Sequence, residues 1–260
     1  MRYSLFPGGA RSRPTLSVTV AIACGDDRPL LTDGCAAALE FLHCASLVHD
    51  DLPCFDDAAT RRSKPSVHAA YGEAMAVLVG DGLIVMAFQT LGDVAQEAGQ
   101  RLGPLLACLA DAVGAPNGLV AGQAMESEPA CDTDAYHAAK TGALFEAAAV
   151  GGALAAGVSD TEPWRALGAR LGAAYQIADD LRDRFGSTHE IGKPIGRDAA
   201  LERPNSIDAY GLDGSVALLR RQIADATDAV PDLAEANLLR RFIADQAERI
   251  MPSHPAPAAQ

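Results

Sequence analysis

Aromatic residues are scarce, at 5% of the 260-residue chain with a single tryptophan, and runs of β-branched residues are rarer still. That leaves little material for β-sheets, whereas alanine, leucine and glutamate, which lose little side-chain freedom in helices, are abundant. The expected fold is all-α. Basic residues are also few: 21 Lys and Arg stand against 34 Asp and Glu, a formal net charge of −13. Such a balance repels nucleic acid and anionic membrane surfaces, so an anionic ligand has to be met by a local basic cluster or by metal ions. The six cysteines, at 24, 35, 44, 54, 108 and 131, form no C-x-x-C pair. With no apolar signal-peptide core in MRYSLFPGGARSRP, they read as reduced thiols of a cytoplasmic protein. Uninterrupted apolar runs are short. The longest, residues 147–158, is well under the ~20 residues of a membrane helix, and no transmembrane segment is expected. With 49% hydrophobic and 21% charged residues, disorder is excluded and a sizeable core is available.

Helical patterns are expected near residues 14–24, 33–51, 70–96, 103–113, 116–127, 132–157, 160–184, 213–229 and 231–250, separated by short Gly, Pro or Asp punctuation. No linker divides them, so residues 1–251 read as a single domain and 252–260 as a disordered tail. Residues 186–204 form the longest irregular stretch, and a loop of that length within a compact domain is often functional.

In YQIADDLRD, Asp179 and Asp183 are i,i+4 on a helix, Asp180 and Asp183 are i,i+3, and Gln176 lies one turn before Asp180. Three carboxylates crowded on one face and flanked by apolar residues destabilise a helix unless a cation neutralises them. Hard oxygen donors without nearby Cys or His favour Mg²⁺ over zinc. A solvated face with local ion pairs is the alternative for this segment alone. A second cluster, LVHDDLPCFDDAATRR, sets Asp50, Asp51, Asp56 and Asp57 around Pro53 directly after an apolar helix. Six residues advance a regular helix by about 240°, so Asp50 and Asp56 share a face only if the helix breaks, and Pro53 supplies the break. Taken alone, this cluster also reads as an acidic loop capping the next helix. Together, the two clusters read as walls of a cavity where metal ions grip a diphosphate. Arg61, Arg62, Lys140 and Lys193 are at hand as counter-charges.

These motifs, with FPGGARSRP, GQAME, KTGALF and GKPIGRD, make the sequence resemble the trans-polyprenyl diphosphate synthases, most closely the bacterial geranylgeranyl diphosphate synthases of pigment pathways. The resemblance spans about residues 5–210 and implies an isoprenoid-synthase-type helical bundle around a central cavity, working as a homodimer. It implies that Asp50, Asp51, Asp56, Asp179, Asp180 and Asp183 bind three Mg²⁺ ions bridging an allylic diphosphate. Arg61, Lys140 and Lys193 would hold that diphosphate with support from Thr141 and Gln176, while Arg13, His43 and Arg62 would hold isopentenyl diphosphate. The implied reaction is ionisation of the allylic diphosphate, condensation and proton loss. Ala45 and Ser46, five and four positions before Asp50, are small where family members that stop at fifteen carbons tend to carry a ring. The implied product is therefore geranylgeranyl diphosphate. A product of another length, farnesyl or longer, and a weakly active regulatory subunit are the alternatives.

The sequence departs from the family pattern in places. Ala10 replaces a lysine of the G-G-K-x-x-R-P motif, with Arg11 as its nearest substitute. Glu126 replaces the aspartate of Q-x-x-D after Gln123, Ser63 and Ser66 replace a usual Gly and Thr, and the amino-terminal part is one or two helices shorter than usual.

Overall fold

The structure is a computed structural model that describes residues 1–6, 8–128, 132–185 and 205–251. The expected loop at 186–204, with Lys193, and the tail at 252–260 lie outside the described residues. The helices are α1 (Arg2–Leu5), α2 (Ser12–Ala23), α3 (Pro29–Asp50), α4 (Val67–Tyr71), α5 (Glu73–Asp93), α6 (Ala95–Ala98), α7 (Leu102–Val113), α8 (Leu119–Met125), α9 (Thr133–His137), α10 (Ala143–Ala155), α11 (Glu162–Phe185), α12 (Ser206–Asp228) and α13 (Ala236–Ile250). Among the described residues the only strands are β1 (Thr60–Arg61) and β2 (Lys64–Pro65), an antiparallel pair. Its two-residue loop, Arg62-Ser63, has φ of 53° and 60°, the mirror-image turn that fits the twist of a tight hairpin.

Local chemistry sets most boundaries. α3 begins earlier than the expected residue 33 because Pro29 is pre-shaped for a first helical turn. α12 begins at Ser206 and not near 213, since the Asn205 side chain accepts the amides of Ile207 and Asp208; Gly211, at φ 70°, then breaks its early part. α9 and α10 form one run joined by a π-helical segment, Ala138–Gly142.

α10 is buried on nearly every side, as a helix at the centre of a bundle must be. Together with its own Leu144, the residues Leu16, Leu39, Leu105, Leu167 and Leu239 from five surrounding helices form the main core, each 0–1% exposed. α11 approaches α10 closely because Gly172 faces Gly142: a Cβ on Gly172 would stand 2.7 Å from the Gly142 Cα. This contact sets the helix carrying Asp179 and Asp180 beside the segment carrying Lys140 and Thr141.

Two helices, α3 and α5, are long and apolar enough to cross a membrane by length and composition alone, a test that the core helices of a bundle also pass. The expectation of no transmembrane segment counted uninterrupted runs, which isolated polar residues such as Asp81 cut short. The α3 window is 67% buried within the bundle. The α5 window is 33% buried, and Met75, Leu78 and Val85 on it are exposed.

Candidate active site

The last turn of α3 carries Asp50, with Asp51 as the C-cap. The chain then folds back on itself: the Phe55 and Asp57 amides donate to the Leu52 carbonyl, and the Asp56 amide donates to the Asp50 carbonyl at 2.9 Å. This turn reverses the 240° divergence expected for a straight helix. Oxygens of Asp50, Asp56 and Glu126 lie within 4.8 Å of one another. Asp51 points elsewhere. Its side chain is 3% exposed and accepts Arg61 Nε at 2.9 Å, with Arg61 also 3.6 Å from Asp50. Burial holds the Asp51 carboxyl above the ordinary carboxylate range despite the arginine.

Glu126 follows α8. Gln123 Nε2 donates to it at 2.8 Å and the Tyr136 hydroxyl at 2.5 Å, and its side chain is 6% exposed. Lys140 Nζ bridges the carboxylates, donating to Glu126 and, at 3.1 Å, to Asp50. Lys140 sits within the π segment, a local widening and under-winding of the helix often found at functional sites. α8 lies hard against that segment, and a Cβ on Gly122 would be 2.4 Å from the Lys140 backbone nitrogen.

From the same segment the Thr141 hydroxyl donates to Gln176 Oε1 at 2.6 Å, and Gln176 Nε2 donates to Asp180 at 2.9 Å. The Ser206 amide donates to the other Asp180 oxygen at 2.7 Å. Asp180 and Asp183 are buried, and Asp179 is exposed. Burial raises the Asp180 carboxyl, opposed by the Ser206 amide and His137. The two aspartate motifs are thus tied through Lys140, Thr141 and Gln176 and do not lie on opposite exteriors.

A cationic group lies alongside. Arg13 Nη1 is 3.4 Å from His43 Nε2, and the buried Arg13 Nε has no hydrogen-bond partner among the described residues. Burial lowers the Arg13 pKa to about 10, so the guanidinium stays charged at neutral pH. Burial, then the charges of Arg13 and Arg62, holds His43 well below its usual range and therefore neutral. Arg62 donates to the Gly8 carbonyl. Arg11, the substitute for the missing lysine, is occupied elsewhere: at φ 52° it donates to the Glu40 carboxylate and to the Leu5 carbonyl.

Sequence reasoning set Glu126 down only as a departure and missed the convergence it makes with Asp50 and Asp56. Its spacing from Gln123, one helical turn, was the available signal. Tyr136 and Glu40, which hold Glu126 and Arg11, had none.

A family model described as polyprenyl synthetase matches residues 1–236. The geranylgeranyl diphosphate synthase of Cereibacter sphaeroides is 50% identical over 254 residues, covering 98% of this chain and 88% of the relative. That of Rhodobacter capsulatus is 50% identical over 249 residues, covering 96% and 86%. Among solved structures, a Helicobacter pylori geranyltransferase complexed with magnesium and isoprenyl diphosphate superposes with a TM-score of 0.82 at 28% identity, covering 96% of this chain and 86% of that one.

Proposed function

The chain belongs to the polyprenyl synthetase family and is a prenyltransferase, and from that premise we propose that it condenses isopentenyl diphosphate with a shorter allylic diphosphate to give geranylgeranyl diphosphate. The observation that carries this reading is that Lys140 is hydrogen-bonded to Asp50 while its chain neighbour Thr141 is hydrogen-bonded through Gln176 to Asp180, with the Arg13, His43 and Arg62 group beside them. One wall suits a metal-bound diphosphate and the other a second anion.

The donor set fits magnesium. Asp50, Asp56 and Glu126 offer only hard oxygen atoms, close enough to share a cation. In this reading Asp50, Asp56, Glu126 and Asp179 would be the direct ligands of a three-ion site, with Asp183 behind them. Asp51 and Asp180, buried and bonded to Arg61 and to the Ser206 amide, hold the frame. When bound, the ions neutralise the allylic diphosphate and make it a competent leaving group.

Lys140, Thr141, Gln176 and Lys193 hold that diphosphate, and Arg61 acts through Asp51. Negative charge grows on the departing oxygens as the allylic C–O bond breaks, and Lys140, already positioned, stabilises it. Arg13, His43 and Arg62 hold isopentenyl diphosphate so that its double bond reaches the allylic carbon. The new C–C bond forms there, and loss of a proton to the released diphosphate restores the alkene. The apolar faces of α3 and α5 keep water from the cation. Small Ala45 and Ser46 leave room for a twenty-carbon chain.

The exposed apolar face of α5 supports a homodimer, since burying Met75, Leu78 and Val85 against a second copy removes that surface from water. The five described cysteines, all free thiols, agree with a cytoplasmic setting.

The test is incubation of the protein with Mg²⁺, isopentenyl diphosphate and five-, ten- or fifteen-carbon allylic primers, with products separated by length. A twenty-carbon diphosphate is expected. No condensation with any primer overturns the reading.

A further inference from the structure

α13 begins at Ala236, where the residues matched by the family model end, and among the side chains it buries in the bundle one is polar, Gln246. Gln246 is 5% exposed, and its Oε1 meets two hydroxyl groups from distant parts of the chain. The Ser12 hydroxyl donates to it at 2.8 Å, and the Tyr175 hydroxyl reaches both it and, at 2.5 Å, Ser12 Oγ. Ser12 opens α2 and is the residue before Arg13. Tyr175 is the residue before Gln176 on α11.

The rings extend this connection. Tyr175 lies against Phe145 with centroids 4.5 Å apart, and the Arg13 guanidinium stands 4.4 Å from the Phe145 centroid on the cation–π face. Arg13 is therefore fixed twice by one network, through its backbone neighbour Ser12 and through the stack of Tyr175 and Phe145. Arg13 Nη1 stands 3.4 Å from His43 Nε2, and Nε has no hydrogen-bond partner among the described residues.

We propose that Gln246 is a positioning residue for the isopentenyl diphosphate half of the site, holding Ser12 and Tyr175 so that the Arg13 guanidinium is preset for its anion. This rests on the assignment of Arg13 made above. A guanidinium whose nitrogens are held in place loses less freedom on capturing a diphosphate, so the contribution appears in binding of that substrate and not of the allylic one.

The test measures KM for each substrate, kcat and melting temperature in Gln246→Met, which keeps the reach and removes the carbonyl, in Tyr175→Phe and in the double variant. The expected result is a rise of about tenfold in KM for isopentenyl diphosphate in Gln246→Met, the size of a lost buried hydrogen bond. The allylic KM stays within about twofold, and the double variant is no worse than the more affected single one, as members of one network behave. Gln246→Glu, which retains an acceptor at the same reach, restores most of the affinity. An unchanged KM for isopentenyl diphosphate overturns the proposal, as does a parallel rise in both KM values with a lower melting temperature. If Gln246→Met does not accumulate, Tyr175→Phe carries the same comparison. Arg13→Gln separates the two levels: if it leaves KM for isopentenyl diphosphate unchanged, the assignment of Arg13 fails. If it raises that KM while Gln246→Met does not, only the role of Gln246 fails.

Discussion

Lys140 Nζ lies 3.1 Å from Asp50 Oδ1, across ninety positions of sequence, and at the same time on the Glu126 carboxylate. The ammonium occupies the space between two acids that a divalent ion would also seek. In the proposed reading it would be both a partner for an incoming diphosphate and a competitor for the metal alone. Replacing Lys140 by Met should therefore have opposite effects on two measurements. Turnover falls by about two orders of magnitude or more, as charge stabilisation of the leaving group is lost. Affinity for Mn²⁺ in the absence of diphosphate, followed by electron paramagnetic resonance, rises. A weaker or unchanged affinity would show that Lys140 does not compete for that space.

Asp50 and Asp51 are neighbours with different surroundings, and Asn substitutions should separate them. Asp51→Asn takes from Arg61 the carboxylate it bonds directly and leaves only Asp50, 3.6 Å away, a loss of about 1.5–3 kcal/mol by chemical denaturation. Asp50→Asn abolishes condensation with a much smaller change in stability, because its side chain is more exposed at 13%. Equal stability losses in the two variants would remove the distinction drawn between ligand and frame.

Ala45 is 1% exposed and packs beside Val79 and Leu83. A ring there narrows the space behind Asp50, so Ala45→Phe should shift the product from twenty carbons toward fifteen. Chromatography of the dephosphorylated alcohols reads this directly. The added bulk also destabilises the core by roughly 1–3 kcal/mol.

The neutrality of His43 has a pH signature. Its folded pKa is depressed, so above about pH 6.5 both folded and unfolded chains carry it uncharged and its contribution is complete. As pH falls below that value the unfolded chain takes up a proton that the folded chain refuses, and stability declines by up to about 1.4 kcal/mol per pH unit. Replacing His43 by Gln should flatten this part of the stability profile between about pH 6.5 and 5. Identical profiles for the two proteins would argue against a neutral, cation-surrounded imidazole.

Ser63 adopts φ 60° in the turn that carries Arg62. Ser63→Gly removes the strain of a left-handed L-residue and should stabilise the protein by about 0.5–1 kcal/mol, measured by denaturant midpoint.

Much of this molecule was legible in the order of its residues. Helical composition and periodicity gave the bundle, and two Asp clusters with nearby Arg and Lys pointed to the candidate site. The less legible parts depend on contacts between distant segments. Asp50 and Asp56 would diverge on a straight helix, and the return of Asp56 to the Asp50 carbonyl depends on the turn after Leu52. The π segment was invisible because its residues, Ala138 to Gly142, sit within a pattern that reads as one uninterrupted helix from 132 to 157. Gln246, in a surface-like run of Arg, Asp and Glu, carried no sign that it is buried against Ser12 and Tyr175.

The widened, under-wound turn at Ala138–Gly142 implies a particular genetic fragility. Each residue of an ordinary α-helix advances the spiral by about 100°, so loss of a single codon there would let the turn relax and swing Lys140 and Thr141 out of phase with the acids on either side. Exchanging the small side chains around them leaves that phase untouched. In this stretch the count of residues matters more than the identity of most of them.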